Sequence, residues 1–312
     1  MRPAILIHGP TASGKTALAI ELARRLGGEI VNADAMQVYR DLEILSARPS
    51  REERESAPHH MFGHIDAADA YSVGRWQKDA GACIEEIRAR GKAPIVVGGS
   101  GLYLSALTDG LAQIPNVPDE IKQQARARVG ADRNAAHEDL ATIDPEAAHR
   151  IARGDRQRIA RALEVWMAFG RTLSSYRGAA VPVLKPGEWL GVVLTPQREP
   201  LYDRINQRVD AMLRAGVLQE ARKLWARKLS RELPCMRAHG MPGFCDHFDG
   251  RMTLDDAAEQ CRRDTRRYAK RQMTWIAHQF SLWPRIPSAD VNVRARVISA
   301  LHAEIDGAKI EG

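Results

Sequence analysis

Residues 9 to 16 read GPTASGKT, a G-x-x-x-x-G-K-T pattern set between a short apolar run at 4–7 and a helical run. This is the spacing of a phosphate cradle. The glycines let successive backbone N–H groups wrap an anion, Lys15 reaches the terminal phosphates, and the Thr16 hydroxyl can ligate Mg²⁺. The order strand, loop, helix also turns the positive end of the helix toward the anion. The motif does not say whose phosphate is held, and ATP is only one candidate. Two further loops carry groups that could react: ADAMQVYR after an apolar run at 29–32, and GGSGLY after a run at 94–97. Asp34 is the acid best placed after an early strand, able to serve as a metal contact or as a base. The run before Ser100 ends in glycines, where a nucleotide kinase or ATPase usually offers a carboxylate.

For these loops to act together, the runs that precede them must lie side by side. Short apolar runs alternating with helical patterns predict a parallel sheet flanked by helices, an α/β fold of P-loop NTPase type. A fourth strand is expected at 188–196, in EWLGVVLTP. In such a sheet the loops meet at the carboxyl edge, which would gather Lys15, Asp34 and Ser100 around one pocket. Between 116 and 186 the texture becomes helical, so the expected division is a catalytic core of 1–115 and 187–312 with a helical insertion domain. Its clearest part, DPEAAHRIARGDRQRIARALEVWMAFG, offers Asp155 as an N-cap and Gly170 as a stop. The wheel sets Ile159, Leu163 and Trp166 on one face and Gln157, Arg158 and Arg161 on the other. LYDRINQRVDAMLRAG predicts a strong helix with Arg204 and Arg208 one turn apart. CRRDTRRYAKRQMTW is the most basic stretch, and Arg263, Arg266, Arg267 and Lys270 are expected to form one cationic stripe interleaved with Tyr268 and Trp275. The last two dozen residues read as a helix with a loose end.

The chain has 312 residues and a formal net charge of +7, an excess that suits a polyanionic partner without proving one. Cys83, Cys235, Cys245 and Cys261 lack C-x-x-C spacing, which argues against a zinc site or a disulfide framework and fits a reducing cytosol. The opening residues are too short for a signal peptide and no run approaches a membrane span. The expectation is a cytoplasmic, soluble protein, and a monomer.

GPTASGKT, NADAMQVYR, SARP, APHH, VVGGSGLY, RQRIARALE, LYDRINQRVDAML and TRRYAKRQMTW follow, in order, the landmarks of the tRNA dimethylallyltransferases, also called tRNA isopentenyl transferases. The resemblance covers about residues 4 to 280. It implies that the P-loop holds the diphosphate of dimethylallyl diphosphate, with Mg²⁺ on Thr16, rather than ATP. The implied reaction prenylates N6 of the adenosine just 3′ of the anticodon, in tRNAs reading codons that begin with U.

The chemistry gives those residues roles. An adenine amine is a poor nucleophile that must lose a proton as it attacks, so a carboxylate within reach is needed. Asp34 matches the family's general base in D-S-x-Q, here DAMQ, with Gln37 holding the adenine and Ala35 and Met36 also against the tRNA. The departing diphosphate gathers charge, which fixed cations and N–H groups stabilise. Gly9, Thr11, Ala12, Ser13, Gly14, Lys15 and Thr16 match that cradle. Arg204 is a candidate addition, a surface ion pair being its other explanation. Ser100 replaces the threonine of G-G-T-G-L-Y that orients the reacting groups.

The target base lies in a single-stranded loop and can be splayed out. Gln157, Arg158, Ile159, Ala160 and Arg161 match the family's tRNA-contacting Q-R-x-x-R motif, and Lys122 another basic contact. Arg263, Arg267 and Lys270 would grip phosphates. His59, His60 and His64 match a structural loop, with no metal expected there. Three departures stand out: DAMQ lacks the usual serine, LSARP replaces G-T-A-K-P, and MRAHGMPGF stands where glycine, tyrosine, a base and an acid are usual. The zinc finger of eukaryotic relatives is absent from this sequence, which favours the bacterial type. Three other readings compete. A kinase would need a further acid. An adenylate prenyltransferase should lack the insertion and the basic stripe. A non-catalytic RNA-binding module leaves Lys15 with Asp34 unexplained.

Overall fold

The computed structural model describes residues 2–176, 178, 180–287 and 299–300. The helix expected over the last two dozen residues falls outside them, apart from Ser299 and Ala300. The strands are β1 (Ala4–His8), β2 (Glu29–Asn32), β3 (His59–His60), β4 (Pro94–Gly98), β5 (Leu111–Ala112), β6 (Ala180–Val181), β7 (Trp189–Leu194) and β8 (Arg285–Ile286). Six of them form one sheet in the order β3-β2-β4-β1-β7-β8. Every pairing in it is parallel, with Ile5 of β1 opposite both Ile95 of β4 and Leu190 of β7. The α/β class and the parallel sheet are therefore as expected, and the expected strand at 188–196 is β7.

β1 and β4 are buried along their whole length, as strands covered on both faces must be. Alternation then divides their side chains between two cores. Ile5, Ile7, Ile30 and Ile95 pack with Leu18 and Leu22 of α1 (Lys15–Leu26) on one face. The other face carries Leu6, Val31 and Val96, packed with Trp76 and Ile84. α2 (Arg51–Ser56) opens on a capping box at Ser50 and Glu53, and α3 (Val73–Ala89) supplies Trp76 and Ile84. α4 (Gly101–Thr108) follows β4 directly.

The chain divides into two compact units, one of residues up to Thr108 and from Val183 on, the other Asp109–Pro182. The second unit holds α5 (Asp119–Ala131), α6 (Arg133–Ile143), α7 (Pro145–Arg150) and α8 (Arg156–Phe169). It begins earlier and ends earlier than 116–186 because β5 pairs antiparallel with β6, Leu111 opposite Val181, and so ties its two ends together. Asp155 caps α8 by accepting from Arg158 N, and Gly170 ends it at φ 64°. Ile159 and Leu163 join Val129 and Leu140 in this unit's core. Trp166 does not: it is 37% exposed, one turn past the last residue of α8 that the core encloses.

Back in the first unit, α9 (Arg198–Arg214), α10 (Val217–Ala226), α11 (Met241–Phe248) and α12 (Leu254–Gln279) complete the fold. α12 packs on α4, α9 and α11. Among the described residues no helix is long and apolar enough to cross a membrane.

Candidate active site

β1 delivers the phosphate cradle to the carboxyl edge of the sheet. A Cβ on Gly9 would meet Ser13 Oγ at 2.7 Å and Leu194 Cβ at 3.1 Å, so only glycine lets the loop lie against β7. Gly14, at φ 88°, turns the chain into α1, while Ala12 holds φ 60° without being glycine, a strained conformation at the middle of the loop. Lys15 Nζ folds back onto Pro10 O at 3.3 Å. Burial pulls its ammonium down to about 8, Asp34 opposes that, and Arg208 adds to it.

Two arginines of α9 close the loop from the other side. Arg204 Nε donates to Ala12 O at 2.9 Å, and Arg208 Nη1 to Thr11 Oγ1 at 3.1 Å. Arg204 thus serves the P-loop, and it makes no ion pair among the described residues. Burial lowers the pKa of Arg208. Ser13 Oγ is buried without a hydrogen-bond partner among the described residues. His8, at the end of β1, donates from Nδ1 to Gly98 O at 3.0 Å. Burial drops its pKa to about 4, so the ring is neutral and its buried Nε2 is left bare.

Asp34 sits in the turn after β2. Asn32, fully buried, fixes that turn by accepting from Asp34 N at 2.9 Å and donating to Asp34 O and Met61 O. Asp34 Oδ1 accepts from Met36 N at 3.0 Å, and Oδ2 has no hydrogen bond among the described residues. One carboxylate oxygen is anchored while the other is free to take a proton. Ser100 Oγ accepts from Ala35 N at 3.0 Å, which ties the loop after β4 to the one after β2. Gly98 makes this closeness possible, since a Cβ there would lie 2.0 Å from Ala33 O. Gln37 Nε2 donates to Ser46 O and Ala47 O, both at 3.0 Å. Lys15, Asp34 and Ser100 come together at one sheet edge.

α12 completes the arrangement from a distant part of the chain. Gln272, 4% exposed, accepts from Thr11 N at 2.9 Å and donates to Gly99 O at 2.8 Å. One amide therefore joins the P-loop to the loop after β4. Tyr268 donates to the same Gly99 O at 3.3 Å, and burial raises its pKa. A Cβ on Gly101 would collide with the Trp275 indole at 2.3 Å.

The basic faces are more divided than the sequence implied. On α12, Arg263, Arg267 and Lys270 are exposed. Arg266 is not part of that stripe: it turns toward α9, donating to Asn206 Oδ1 at 2.7 Å and pairing with Glu259. Tyr268 and Trp275 point inward instead of interleaving with the cations. On α8, Gln157 and Arg158 are exposed and Arg161 is half-exposed, Arg158 being near Asp155 and Arg161 near Glu164. Ile159 and Ala160, the middle of that motif, are 0% and 6% exposed. α8 turns them onto α5 and α6, so their side chains offer no surface to RNA. Lys122 pairs with Asp119 at 2.8 Å.

A family model described as IPP transferase matches residues 37–279, and one described as Isopentenyl transferase matches 3–62. The chain belongs to the IPP transferase family. It is 53% identical to the tRNA dimethylallyltransferase of Hyphomonas neptunium, over 100% of this chain and 99% of that protein. The protein of the same name from Maricaulis maris is 47% identical over 98% and 99% of the two chains. Among solved structures, the full-length tRNA isopentenylpyrophosphate transferase of Bacillus halodurans aligns with TM-score 0.72 and 34% identity, covering 100% of this chain and 99% of its own. A eukaryotic dimethylallyltransferase captured acting on tRNA aligns with TM-score 0.76 and 32% identity, over 88% of this chain and 70% of that one.

Within this member of the IPP transferase family, sequence reading missed Arg208 and Gln272. Arg208 had a signal, its place one turn from Arg204. Gln272 had none, being a single amide in a basic helix. The unusual MRAHGMPGF stretch brings His239 against Tyr268, ring centroids 4.8 Å apart, so this departure lies one side chain from Gly99. His59 and His60 are occupied structurally, His59 on Ala57 O and His60 on Glu29, both at 2.7 Å.

Proposed function

We propose that this chain transfers a dimethylallyl group from dimethylallyl diphosphate to N6 of the adenosine immediately 3′ of the anticodon, in tRNAs reading codons that begin with U. The product is N6-isopentenyladenosine. Prenyl transfer to tRNA is the activity that the relatives' names carry, and the chain is an enzyme of their family. The observation that supports the reading best is the Asp34 carboxylate, with one oxygen held by Met36 N and the other free, at the sheet edge it shares with Lys15.

The adenine amine attacks the allylic carbon, forming the N–C bond as the C–O bond to diphosphate breaks. The N6 proton passes to the free oxygen of Asp34. Lys15, Arg204 and Arg208, with the loop's N–H groups, balance the charge that gathers on the leaving diphosphate. Ser100 holds the Asp34 turn through Ala35 N. The donor set fits Mg²⁺: the Thr16 hydroxyl would hold it, in the loop that also carries the buried Ser13 Oγ, which has no hydrogen-bond partner among the described residues. When bound, the ion adds positive charge at the leaving group. Lys122, the outer residues of α8 and the exposed cations of α12 are candidate tRNA contacts. The expected setting is the cytoplasm, and the expected form a monomer.

The test mixes labelled dimethylallyl diphosphate with unmodified tRNA or with AMP, and follows ATP consumption in parallel. Label should enter the tRNA. Asp34→Asn should reduce transfer by about 10²–10⁴-fold while tRNA binding persists. Label in AMP alone would replace this reading with a free-nucleotide prenyltransferase, and ATP turnover without transfer with a kinase-like enzyme.

A further inference from the structure

We propose that Glu220 acts through Gln37 as a positioning residue for base specificity. It fixes which atom of the Gln37 amide meets the substrate base, so that the site takes a purine with an exocyclic amine and rejects one with a carbonyl in its place. The inference rests on the proposed function and on the family resemblance, which sets Gln37 against the adenine.

Glu220 lies in the first turn of α10, and its carboxylate accepts three consecutive backbone amides: Glu43 N at 2.9 Å, Ile44 N at 2.7 Å and Leu45 N at 2.9 Å. Three N–H groups converging on one anion form a cup, and bonds to a charged acceptor are stronger than neutral ones. This cup holds the start of a turn that ends at Ala47, whose φ of 50° is one that non-glycine residues rarely adopt. Inside the turn, Ala47 N returns to Ile44 O at 3.0 Å and Ser46 Oγ to Leu42 O at 2.6 Å. The result is that two carbonyls, Ser46 O and Ala47 O, point at one amide.

That amide belongs to Gln37, and its NH₂ has two hydrogens. Both are consumed, one by each carbonyl, at 3.0 Å. Turning the amide over would set its oxygen against two carbonyl oxygens, so the orientation is fixed. Oε1 is then the only group Gln37 can offer, and it takes no hydrogen bond among the described residues. A bare acceptor three residues beyond Asp34 suits an amine donor and repels a carbonyl. Glu220 has no part in the reaction itself. Its role is to keep the turn closed, without which the amide could rotate and read either group.

The experiment compares two anticodon stem-loops, identical except for adenosine or inosine just 3′ of the anticodon. Dissociation constants are measured for the unaltered protein, Glu220→Gln, Gln37→Leu and the double variant, with the KM for dimethylallyl diphosphate alongside. The unaltered protein should prefer the adenosine loop by about tenfold or more, as expected where a polar group would otherwise be left unpaired. Glu220→Gln should bring the two affinities within about threefold of each other and leave the donor KM within about twofold. In the Gln37→Leu background, Glu220→Gln should change the ratio no further. An unchanged ratio in Glu220→Gln, including a uniform loss of both affinities, would overturn the proposal. So would an effect that persists without the Gln37 amide. If Glu220→Gln does not fold, Glu220→Asp, which keeps the charge on a shorter arm, is measured in its place, and an unchanged ratio there also overturns it. Absence of prenyl transfer to the adenosine loop by the unaltered protein would count against the proposed function and not against this relay.

Discussion

Lys15 is a lysine whose charge the protein disfavours until an anion arrives. Burial lowers its pKa to about 8, Asp34 holds it up, and Arg208 pushes it further down. The sign of the pH response follows. Below about 8 the free enzyme carries the ammonium, and as pH rises through that value the cation is lost. kcat/KM for dimethylallyl diphosphate should therefore fall above pH about 8, approaching tenfold per unit. Bound diphosphate favours the charged form, so the break in kcat should lie at higher pH. A kcat/KM profile that stays flat to pH about 10 would remove Lys15 from donor binding. At this scale the sequence was legible wherever chemistry is local. Gly9, Gly14, Lys15 and Thr16 lie within eight positions, and their spacing alone specifies a cradle. Arg208 meets Thr11 across 197 positions and Gln272 meets it across 261, contacts that exist only once the sheet has closed.

Elements hold these residues to one another, and the holding can be tested where one side chain does it. Gln272→Leu keeps the volume of the side chain on α12 but leaves Thr11 N without its partner, while Gly99 O keeps only the longer bond from Tyr268. An unpaired buried donor or acceptor costs about 1–3 kcal/mol. If that strain falls on the reacting geometry, turnover should drop about tenfold or more while the tRNA dissociation constant stays near that of the unaltered protein. Loss of tRNA affinity with turnover intact would instead place Gln272 in the RNA surface. Gly98→Ala tests the sheet edge itself. The new Cβ would lie 2.0 Å from Ala33 O, a backbone atom that cannot swing aside. We expect a fall in melting temperature of at least several degrees or failure to fold, the outcome of overpacking a closed backbone contact. The four long strands were readable because each is an apolar run with a turn behind it. β3 and β8 were not, since two residues cannot display a period. α12 was read by its charges, which concealed that Tyr268 and Gln272, both polar, lie on its inner side.

At the scale of the whole molecule, a net charge of +7 says only that an anion is welcome, and the structure shows which cations remain available for one. Arg262 is engaged with Asp210 and Glu259, and Arg266 with Asn206 and Glu259, so both are committed to seating α12 on α9. Arg263, Arg267 and Lys270 are exposed, and the Arg267–Asp264 contact of 3.6 Å is a surface pair of small worth. The stripe read from sequence was thus correct in charge and incorrect in membership, because a helical wheel does not know which side its neighbour occupies. The two classes separate in a salt titration of tRNA binding. Each phosphate contact to single-stranded RNA adds about 0.7 to the slope of log K against log salt. Replacing Arg263, Arg267 and Lys270 together with alanine should flatten the slope by about two and leave the KM for dimethylallyl diphosphate unchanged. Arg266→Ala should leave the slope as it is and lower the melting temperature, since what it loses is a joint between helices. If Arg266→Ala flattens the slope while the triple variant does not, the RNA runs along the α9 side of α12 and not across its exposed face.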